Sequence, residues 1–242
     1  ESVYRLLAYQ REDGYLSTYR DSNNIFGPVR SDPTWAVVGW DANFNIWGQK
    51  YTLWALLECA MLLDDATILD AAKRLADWIL SSLARLGVPV TDTGIMCGLS
   101  TGSILKPMLI LYRLTGEKRY LDFACKLADF AINHPNMPAD GIPYWDFGAP
   151  GEERDSSAAS VMAAGLLELA RFVPGEKGKA YRAFAVKQLL SLASPEYLAK
   201  EGENGGFLLK HGVGHKPIGS EIDVPLDYGD YYFLEALLRF KR

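Results

Sequence analysis

Helical stretches that mix apolar and polar residues recur along the chain, and one sequence pattern returns after each tight turn. Residues 69–78 read Leu-Asp-Ala-Ala-Lys-Arg-Leu-Ala-Asp-Trp, residues 121–130 read Leu-Asp-Phe-Ala-Cys-Lys-Leu-Ala-Asp-Phe, and residues 181–187 form a looser third copy. Each copy follows an apolar stretch and a turn, at residues 63–65, 115–117 and 174–176. The repeat therefore predicts αα-hairpins of roughly 50–60 residues each, including a long return loop.

The two helices of each predicted hairpin differ in where their apolar residues lie. The first, near residues 54–62 and 105–111, is apolar on almost every side, whereas the second carries a polar face. Helices that are apolar all round are buried, and amphipathic helices border solvent. A double ring of helices fits both, so we predict an all-α fold of the (α/α)6 toroid type in a single domain, residues 1–242. We place about nine helices, fewer than six hairpins need, which leaves a reduced or incomplete ring as the alternative.

Between the predicted hairpins lie long segments rich in glycine, proline, asparagine and aromatic residues, at 10–47, 86–101, 134–155 and 201–227. Loops of that length are uncommon in compact domains unless they carry function. Within them, residues 142–147 and 206–210 predict short strands. In a toroid the inner helices point their ends at a central cavity. We therefore expect the functional side chains just before the inner helices.

The amino-acid composition of the chain limits the kinds of molecule that it is expected to bind. Apolar residues make up 49% and charged residues 23% of the 242, which is ordinary for a soluble globular protein. The net charge of −5 argues against nucleic acid or an anionic membrane as a partner, and no run of about 18 apolar residues predicts a membrane span. The three cysteines form no CxxC pair, so neither disulfides nor a thiolate zinc site is indicated. No signal segment is seen at the start, which leaves cytoplasm and periplasm open.

Two aspartates are the candidates for acid–base chemistry. Asp41 stands beside Trp40 just before a predicted inner helix. An aromatic setting raises the pKa of a carboxyl group and suits a general acid that acts on a stacked sugar ring; the alternative is a plain loop aspartate. Asp92 precedes the next inner helix and is the candidate second carboxylate. Asp155, which two serines follow, either caps a helix or lines the site, and one residue can do both.

Aromatic and cationic residues supply the candidate binding groups. The tryptophans that either stack on pyranose rings or fill the core are Trp40, Trp47 and Trp145. Four cationic or titratable groups crowd together near the end of the chain, namely Lys210, His211, His215 and Lys216. Such a cluster suits a carboxylate or sulfate of a ligand. Two histidines are too few for a metal site, and no GxGxxG or GxSxG motif occurs, so we expect no metal and no cofactor.

Several of these blocks resemble glycoside hydrolase family 88, the unsaturated glucuronyl hydrolases. They are residues 140–147 (Asp-Gly-Ile-Pro-Tyr-Trp-Asp-Phe), 154–159 (Arg-Asp-Ser-Ser-Ala-Ala), 165–169 and 209–235, and the likeness covers residues 139–242. The resemblance implies an (α/α)6 toroid and hydration of the 4,5 double bond of an unsaturated uronic acid at a non-reducing end. An aspartic acid protonates the vinyl ether, water adds at the adjacent carbon, and the product opens and releases the next sugar. Neither a metal nor an organic cofactor is implied.

The front of the chain, at residues 13–19 and 104–124, is similar instead to the family 127 β-L-arabinofuranosidase group, whose catalytic domain is also an (α/α)6 toroid. The cysteine-rich zinc site and cysteine nucleophile of that group have no counterpart here, so its chemistry does not transfer. Residues 98–104 read Gly-Leu-Ser-Thr-Gly-Ser-Ile where family 88 has Trp-Ala-Arg-Gly-Gln-Ala-Trp. The catalytic aspartates of family 88 belong to its front half, so Asp41 and Asp92 are candidates by position.

The hypothesis that results is a bacterial carbohydrate-active hydrolase that acts on uronic-acid-containing oligosaccharides. Asp41 is the general acid/base in this hypothesis, and the segment 210–216 binds the anionic group of the sugar. Three alternatives remain. One is hydrolysis of a saturated glycoside by paired carboxylates, another is a non-catalytic glycan-binding toroid, and the third is a helical-repeat adaptor with an exposed apolar groove. Sugar identity, linkage and a homo-oligomeric state stay open.

Overall fold

The computed structural model describes residues 1–18, 45–87, 89–92 and 102–241, the side chains of Asp92 and Ile218 excepted. Within these residues it has eight α-helices and one two-stranded antiparallel sheet. The helices are α1 (Ser2–Leu7), α2 (Asn45–Leu63), α3 (Ala66–Leu86), α4 (Leu105–Thr115), α5 (Lys118–Ile132), α6 (Ser156–Ala170), α7 (Gly175–Leu192) and α8 (Asp227–Lys241). The strands are β1 (Gly212–His215) and β2 (Ser220–Val224). The predicted helical fold is confirmed.

The repeated sequence pattern lies on the second helix of each hairpin, as predicted, in α3, α5 and α7. Local chemistry explains the turns that precede these helices. Asp65 caps α3, because its Oδ1 accepts the backbone N–H of Thr67 at 2.7 Å. Gly116 ends α4 with a φ of 71° and donates its N–H to the carbonyl of Tyr112 at 2.8 Å. Glycine adopts this left-handed conformation without the clash that a Cβ atom causes, so the chain reverses there.

The chain divides into two compact units, Glu1–Ala124 and Cys125–Arg242. In the first unit α2 packs against α3 and α4, and the side chains buried there include Leu53, Leu57, Leu75 and Met108. In the second unit α6 packs against both α7 and α8 and contacts β1, and the side chains buried there include Leu166, Leu169, Leu189 and Phe233. Each unit therefore has apolar packing of its own. The single domain over residues 1–242 stays a prediction.

The burial of apolar side chains follows the predicted difference between the first and second helix of a hairpin, with one exception. On α3 the apolar residues Leu75 and Ile79 are buried, whereas Asp70 and Arg74 face solvent. On α2 the prediction of burial on every side is wrong at the end of the helix, where Leu62 is 83% exposed. This residue directly precedes the turn into α3, where the described part of the chain leaves its side chain uncovered. Apolar composition there reflects helix propensity as much as burial.

Both predicted short strands are wrong. Residues 142–147 contain one isolated bridge, between Tyr144 and Arg154, and residues 206–210 contain another, between Leu209 and Leu198. Proline at 143 lacks an N–H and cannot donate to a ladder. The observed strands lie later, and they pair Val213 with Ile222 and His215 with Ser220. Three non-glycine residues of this hairpin region have left-handed φ angles, namely His211 at 62°, Glu221 at 52° and Asp223 at 55°.

Two helical glycines provide a test of the packing. A Cβ atom on Gly178, in α7, would lie 1.9 Å from the carbonyl oxygen of Val173, whereas no described atom lies within 4 Å of a Cβ on Gly48, in α2. We expect G178A to lower the free energy of unfolding by about 1–3 kcal/mol through overpacking. We expect G48A to raise it by about 0.5–1 kcal/mol, because glycine weakens a helix interior. Urea unfolding measures both, and equal effects would contradict this account of α7.

Candidate functional site

A buried polar cluster holds the start of α2 in the first unit. The Oδ1 atom of Asn45 accepts hydrogen bonds from Ser17 Oγ at 2.7 Å, from Gln49 Nε2 at 2.7 Å and from Tyr15 O–H at 3.4 Å. Asn45 and Gln49 are one turn apart, so they share a face of the helix, and both are buried. Tyr15 and Ser17 come from the segment after α1. The cluster therefore fixes this segment against the first turn of α2.

Lys50 lies beside this cluster and connects two helix starts. Its Nζ donates to Ser103 Oγ at 2.6 Å and lies 4.2 Å from the ring centre of Tyr51 and 5.7 Å from that of Trp47. Ser103 belongs to the 3-10 turn Gly102–Ile104 that leads into α4. Lys50 is buried, and this burial lowers its pKa to about 8. The ammonium group of Lys50 thus joins the starts of α2 and α4. These are the two helices that Asp41 and Asp92 precede in the sequence.

In the second unit, the segment before α6 folds back on itself around Arg154. The Nε of Arg154 donates to the carbonyl of Ile142 at 2.8 Å, its guanidinium pairs with the carboxylate of Asp140, and its Cζ lies 5.3 Å from the ring centre of Tyr144. Two backbone bonds close the same loop, since Trp145 donates to Glu153 and Asp155 donates to Pro143. The family 88 blocks at 140–147 and 154–159 therefore form one folded unit, with Arg154 as its centre.

Asp155 is the N-cap of α6, which confirms one of its two predicted roles. Its Oδ1 accepts from the backbone N–H of Ser157 at 3.0 Å, from Ser157 Oγ at 2.6 Å and from the backbone N–H of Val213 at 3.2 Å. One oxygen thus ties the start of α6 to β1. Burial raises the pKa of Asp155, while these hydrogen bonds act in the opposite direction. The role of lining the site stays a prediction.

The cationic residues at 210–216 each have contacts within the protein. Lys210 Nζ donates to the carbonyl of Pro195 at 2.7 Å, and His211 Nδ1 lies 2.5 Å from Asp223 Oδ1. Half-buried His215 ends β1. Lys210 and His211 thus have different neighbours. Binding of an anionic group by this segment stays a prediction.

Lys216 forms a cluster with Trp145 and two glutamates. Its Nζ lies 2.6 Å from Glu152 Oε2, contacts Glu153, and lies 5.5 Å from the ring centre of Trp145. The Nε1–H of Trp145 donates to the same Glu152 oxygen at 2.8 Å. The hydrogen bond of each glutamate to Lys216 is the main reason that its pKa is lowered. Lys216 therefore neutralises nearby carboxylates, and Trp145 is held with its ring beside a cation.

Of the other predicted site residues, one lies in the described part of the chain and three lie outside it. Trp47 lies on α2, partly exposed and edge-on to Tyr51 at 5.2 Å. Trp40, Asp41 and the side chain of Asp92 lie outside the described residues. Lys50 is not among the site residues predicted from the sequence. The feature that could have identified it is a single charged residue on the buried side of an apolar helix. The sequence also does not predict the glutamates that hold Lys216, although they directly precede the Arg154 block.

Two further observations on the described part of the chain concern metal binding and membrane insertion. Among its His, Cys, Asp and Glu side chains no group of three or more is arranged to hold a metal ion. None of its helices combines the length and apolar character that crossing a bilayer requires.

Comparison with known proteins identifies the class. A crystal structure of an unsaturated glucuronyl hydrolase specific for heparin matches 98% of this chain and 66% of its own, with 30% identity and a TM-score of 0.72. Unsaturated glucuronyl hydrolase from Bacillus sp. GL1 matches 100% of this chain and 67% of its own, with 23% identity and a TM-score of 0.70. The fold is therefore that of the α/α-toroid glycoside hydrolases.

The sequence of residues 1–171 matches the family described as β-L-arabinofuranosidase, GH127 catalytic domain, and the chain belongs to that family. A relative, unsaturated glucuronyl hydrolase from Formosa agariphila, is 44% identical over 131 residues, which are 53% of this chain and 32% of the relative. The resemblances to both families are confirmed, and the one to family 127 extends into α6. The chain spans about two thirds of the length of the solved structures it matches.

The contacts of Asp155 predict unequal effects of two substitutions. Because D155A removes the acceptor of three hydrogen bonds, including that of buried Val213 N–H, it should lower the free energy of unfolding by about 2–4 kcal/mol. D155N keeps an oxygen at the same place and should cost clearly less. Chemical unfolding monitored by circular dichroism measures both. Equal losses for the two variants would show that the charge, and not the acceptor position, stabilises α6.

The lowered pKa of Lys50 predicts a pH-dependent contribution to stability. Below pH 8 the amine is charged in both states and the folded protein bears its desolvation cost. Between the folded pKa of about 8 and the ordinary value of 10.5, the unfolded chain binds more protons, so stability rises with pH. Relative to K50M, the wild type should gain on the order of 3 kcal/mol across this window.

Urea unfolding at several pH values measures this difference. K179M is the matched control, because Lys179 is exposed and pairs with Glu176, three residues before it in the same helix. The difference between K179M and the wild type should stay flat over the same pH range. A flat difference for K50M as well would contradict the burial of an ammonium group in α2.

Proposed function

We propose that this chain is a carbohydrate-active hydrolase that hydrates an unsaturated glucuronyl residue at the non-reducing end of a uronic-acid-containing oligosaccharide. The observation that carries the proposal is the 44% identity to an unsaturated glucuronyl hydrolase, together with a structural match over 98% of the chain to another. Of the two solved relatives, one is specific for heparin and the other is responsible for the degradation of glycosaminoglycan. Both are polymers that contain uronic acids, which supports this substrate class.

In the proposed reaction an aspartic acid delivers a proton to C4 of the double bond, and water adds at C5. The resulting hemiketal opens and the glycosidic bond breaks, so the net change is the addition of one water molecule. Asp41 is the proposed general acid/base, and Asp92 is the proposed second carboxylate. The contact of Lys50 with Ser103 supports this assignment, because it holds together the starts of the two helices that these aspartates precede.

Substrate binding is assigned to aromatic and cationic groups. Trp40, Trp47 and Trp145 are proposed to stack on sugar rings. Trp145 is supported in this role by its anchoring, since its N–H is bound to Glu152 and its ring lies beside Lys216. The segment 210–216 is proposed to bind the anionic group of the sugar. This role requires that the ligand compete with the carboxylates that already contact His211 and Lys216.

The test is a panel of unsaturated uronyl disaccharides with the saturated disaccharides as controls. Turnover of the unsaturated sugars removes the conjugated double bond, so ultraviolet absorbance should fall. We expect D41N to reduce kcat by about 10²–10⁴-fold, the usual contribution of a general acid or base. D64N is the matched control, because Asp64 is an exposed turn residue with a left-handed φ of 50° that asparagine accepts.

Three outcomes would contradict the proposal in different ways. Cleavage of saturated glycosides alone would support the paired-carboxylate alternative. Binding without turnover of any sugar would support the non-catalytic toroid. Full activity of D41N would refute the role of Asp41 and leave the substrate class intact.

A further inference from the structure

A serine and a lysine from two different helix starts share one hydrogen bond in the first unit. The Nζ atom of Lys50 and the Oγ atom of Ser103 are 2.6 Å apart. Lys50 is buried on α2, whereas Ser103 is exposed in the 3-10 turn before α4. An activated nucleophile and its base lie within about 2.6–3.2 Å of each other. The exposed hydroxyl and the enclosed amine behind it therefore have the arrangement of such a pair.

The surroundings of Lys50 decide how readily its amine accepts a proton. The ring centres of Tyr51 and Trp47 lie 4.2 Å and 5.7 Å from its Nζ, and such contacts favour the charged amine. Burial favours the neutral amine and has the larger effect, because it lowers the pKa of Lys50 to about 8. Tyr51 is the titratable side chain among these neighbours. A sizeable fraction of the amine is therefore neutral at mildly alkaline pH and can take the proton of Ser103.

The place of Ser103 at the beginning of a helix suits the charge that forms when a hydroxyl attacks a carbonyl group. The N–H groups of a first helical turn have no partner within the helix, and they stabilise a negatively charged oxygen beside them. A second amine follows one turn later at Lys106, but its Nζ lies 4.2 Å from the ring centre of Trp54. The hydrogen bond therefore assigns the role of base to Lys50 and not to Lys106.

We propose that Ser103 and Lys50 form a nucleophile and base that hydrolyse esters of small carboxylic acids, an activity separate from the hydration of an unsaturated sugar. The Oγ of Ser103 attacks the carbonyl carbon while its proton passes to the Nζ of Lys50. The bond between the carbonyl carbon and the alcohol oxygen then breaks, and the alcohol leaves with that proton.

Water completes the reaction in the same way. It gives a proton to Lys50 and attacks the acyl-serine, and the carboxylic acid leaves as Ser103 regains its proton. The net change is the consumption of one ester and one water molecule and the release of one alcohol and one carboxylic acid. An ester suits this pair because an alcohol leaves more readily than the amine of an amide.

The first experiment is covalent labelling of the full chain with a fluorophosphonate, which reacts with activated serine hydroxyls, followed by mass spectrometry of the peptides. The label should appear on Ser103, and its rate should rise as the pH passes through about 8, where Lys50 loses its proton. Ser81 is the matched internal control, because it is also exposed but donates its hydroxyl to the carbonyl of Trp78 at 3.1 Å. Labelling of Ser103 that is absent, or no faster than that of Ser81, would overturn the proposal.

The second experiment separates a base from a structural link, with p-nitrophenyl acetate as the probe. K50R keeps a charged donor beside Ser103, but arginine stays protonated and cannot accept a proton. We expect K50R to slow hydrolysis of the ester on the order of 10²–10⁴-fold, the usual contribution of a general base. K106M, which removes the other amine, should leave the rate unchanged, and S103A should abolish the reaction.

Circular dichroism confirms that each variant is folded. Wild-type rates for K50R or S103A, or equal losses in K50R and K106M, would refute the pair and leave its hydrogen bond a structural contact. Because this assay contains no sugar, its outcome does not depend on the reaction proposed for the oligosaccharide. A protein that hydrates unsaturated sugars without cleaving the ester would contradict this inference alone.

Discussion

One carboxylate oxygen organises the second unit. Oδ1 of Asp155 binds two donors of Ser157 and the backbone N–H of Val213, so it begins α6 and attaches β1 in the same step. The loop around Arg154 ends at this residue, because the N–H of Asp155 donates to Pro143. Since α6 packs against both α7 and α8, the position of its first turn is transmitted to the helices beside it. A buried acceptor with three donors is favourable because each donor would otherwise lose a partner on leaving water.

The first unit uses a different kind of polar group for the same purpose. Asn45 and Gln49 are neutral and share a hydrogen bond, whereas Lys50 brings an ammonium group into a buried place beside them. Burying a charge is expensive, and apolar residues of similar size often stabilise a fold more. The lysine where α2 and α4 begin therefore carries a desolvation cost, against which it gains the hydrogen bond to Ser103. Neutral groups would hold the two helices together at a lower energetic cost.

The sequence predicts the helices better than it predicts the contacts of the side chains. The hairpins follow from repeated patterns at 69–78 and 121–130, where period and turn residues agree. The N-cap role of Asp155 follows from the serines after it. The short strands at 142–147 and 206–210 are wrong because composition does not reveal which backbone groups find partners. Lys216 is predicted as part of a cationic cluster for a ligand anion, and its contact with Glu152 spans 64 positions, so no local pattern contains it.

The hairpin of β1 and β2, together with the residue before it, has three non-glycine residues in left-handed backbone conformations, namely His211, Glu221 and Asp223. Each of these costs free energy that a glycine would not, so the hairpin is less stable than its length permits. Substitution by glycine would relieve this strain, and selection for stability alone would favour it. At two of these positions the side chains of His211 and Asp223 contact each other, so a glycine at either one would relieve strain and remove this contact. In this hairpin, a substitution that gains heat resistance by relieving backbone strain therefore also removes a side-chain contact.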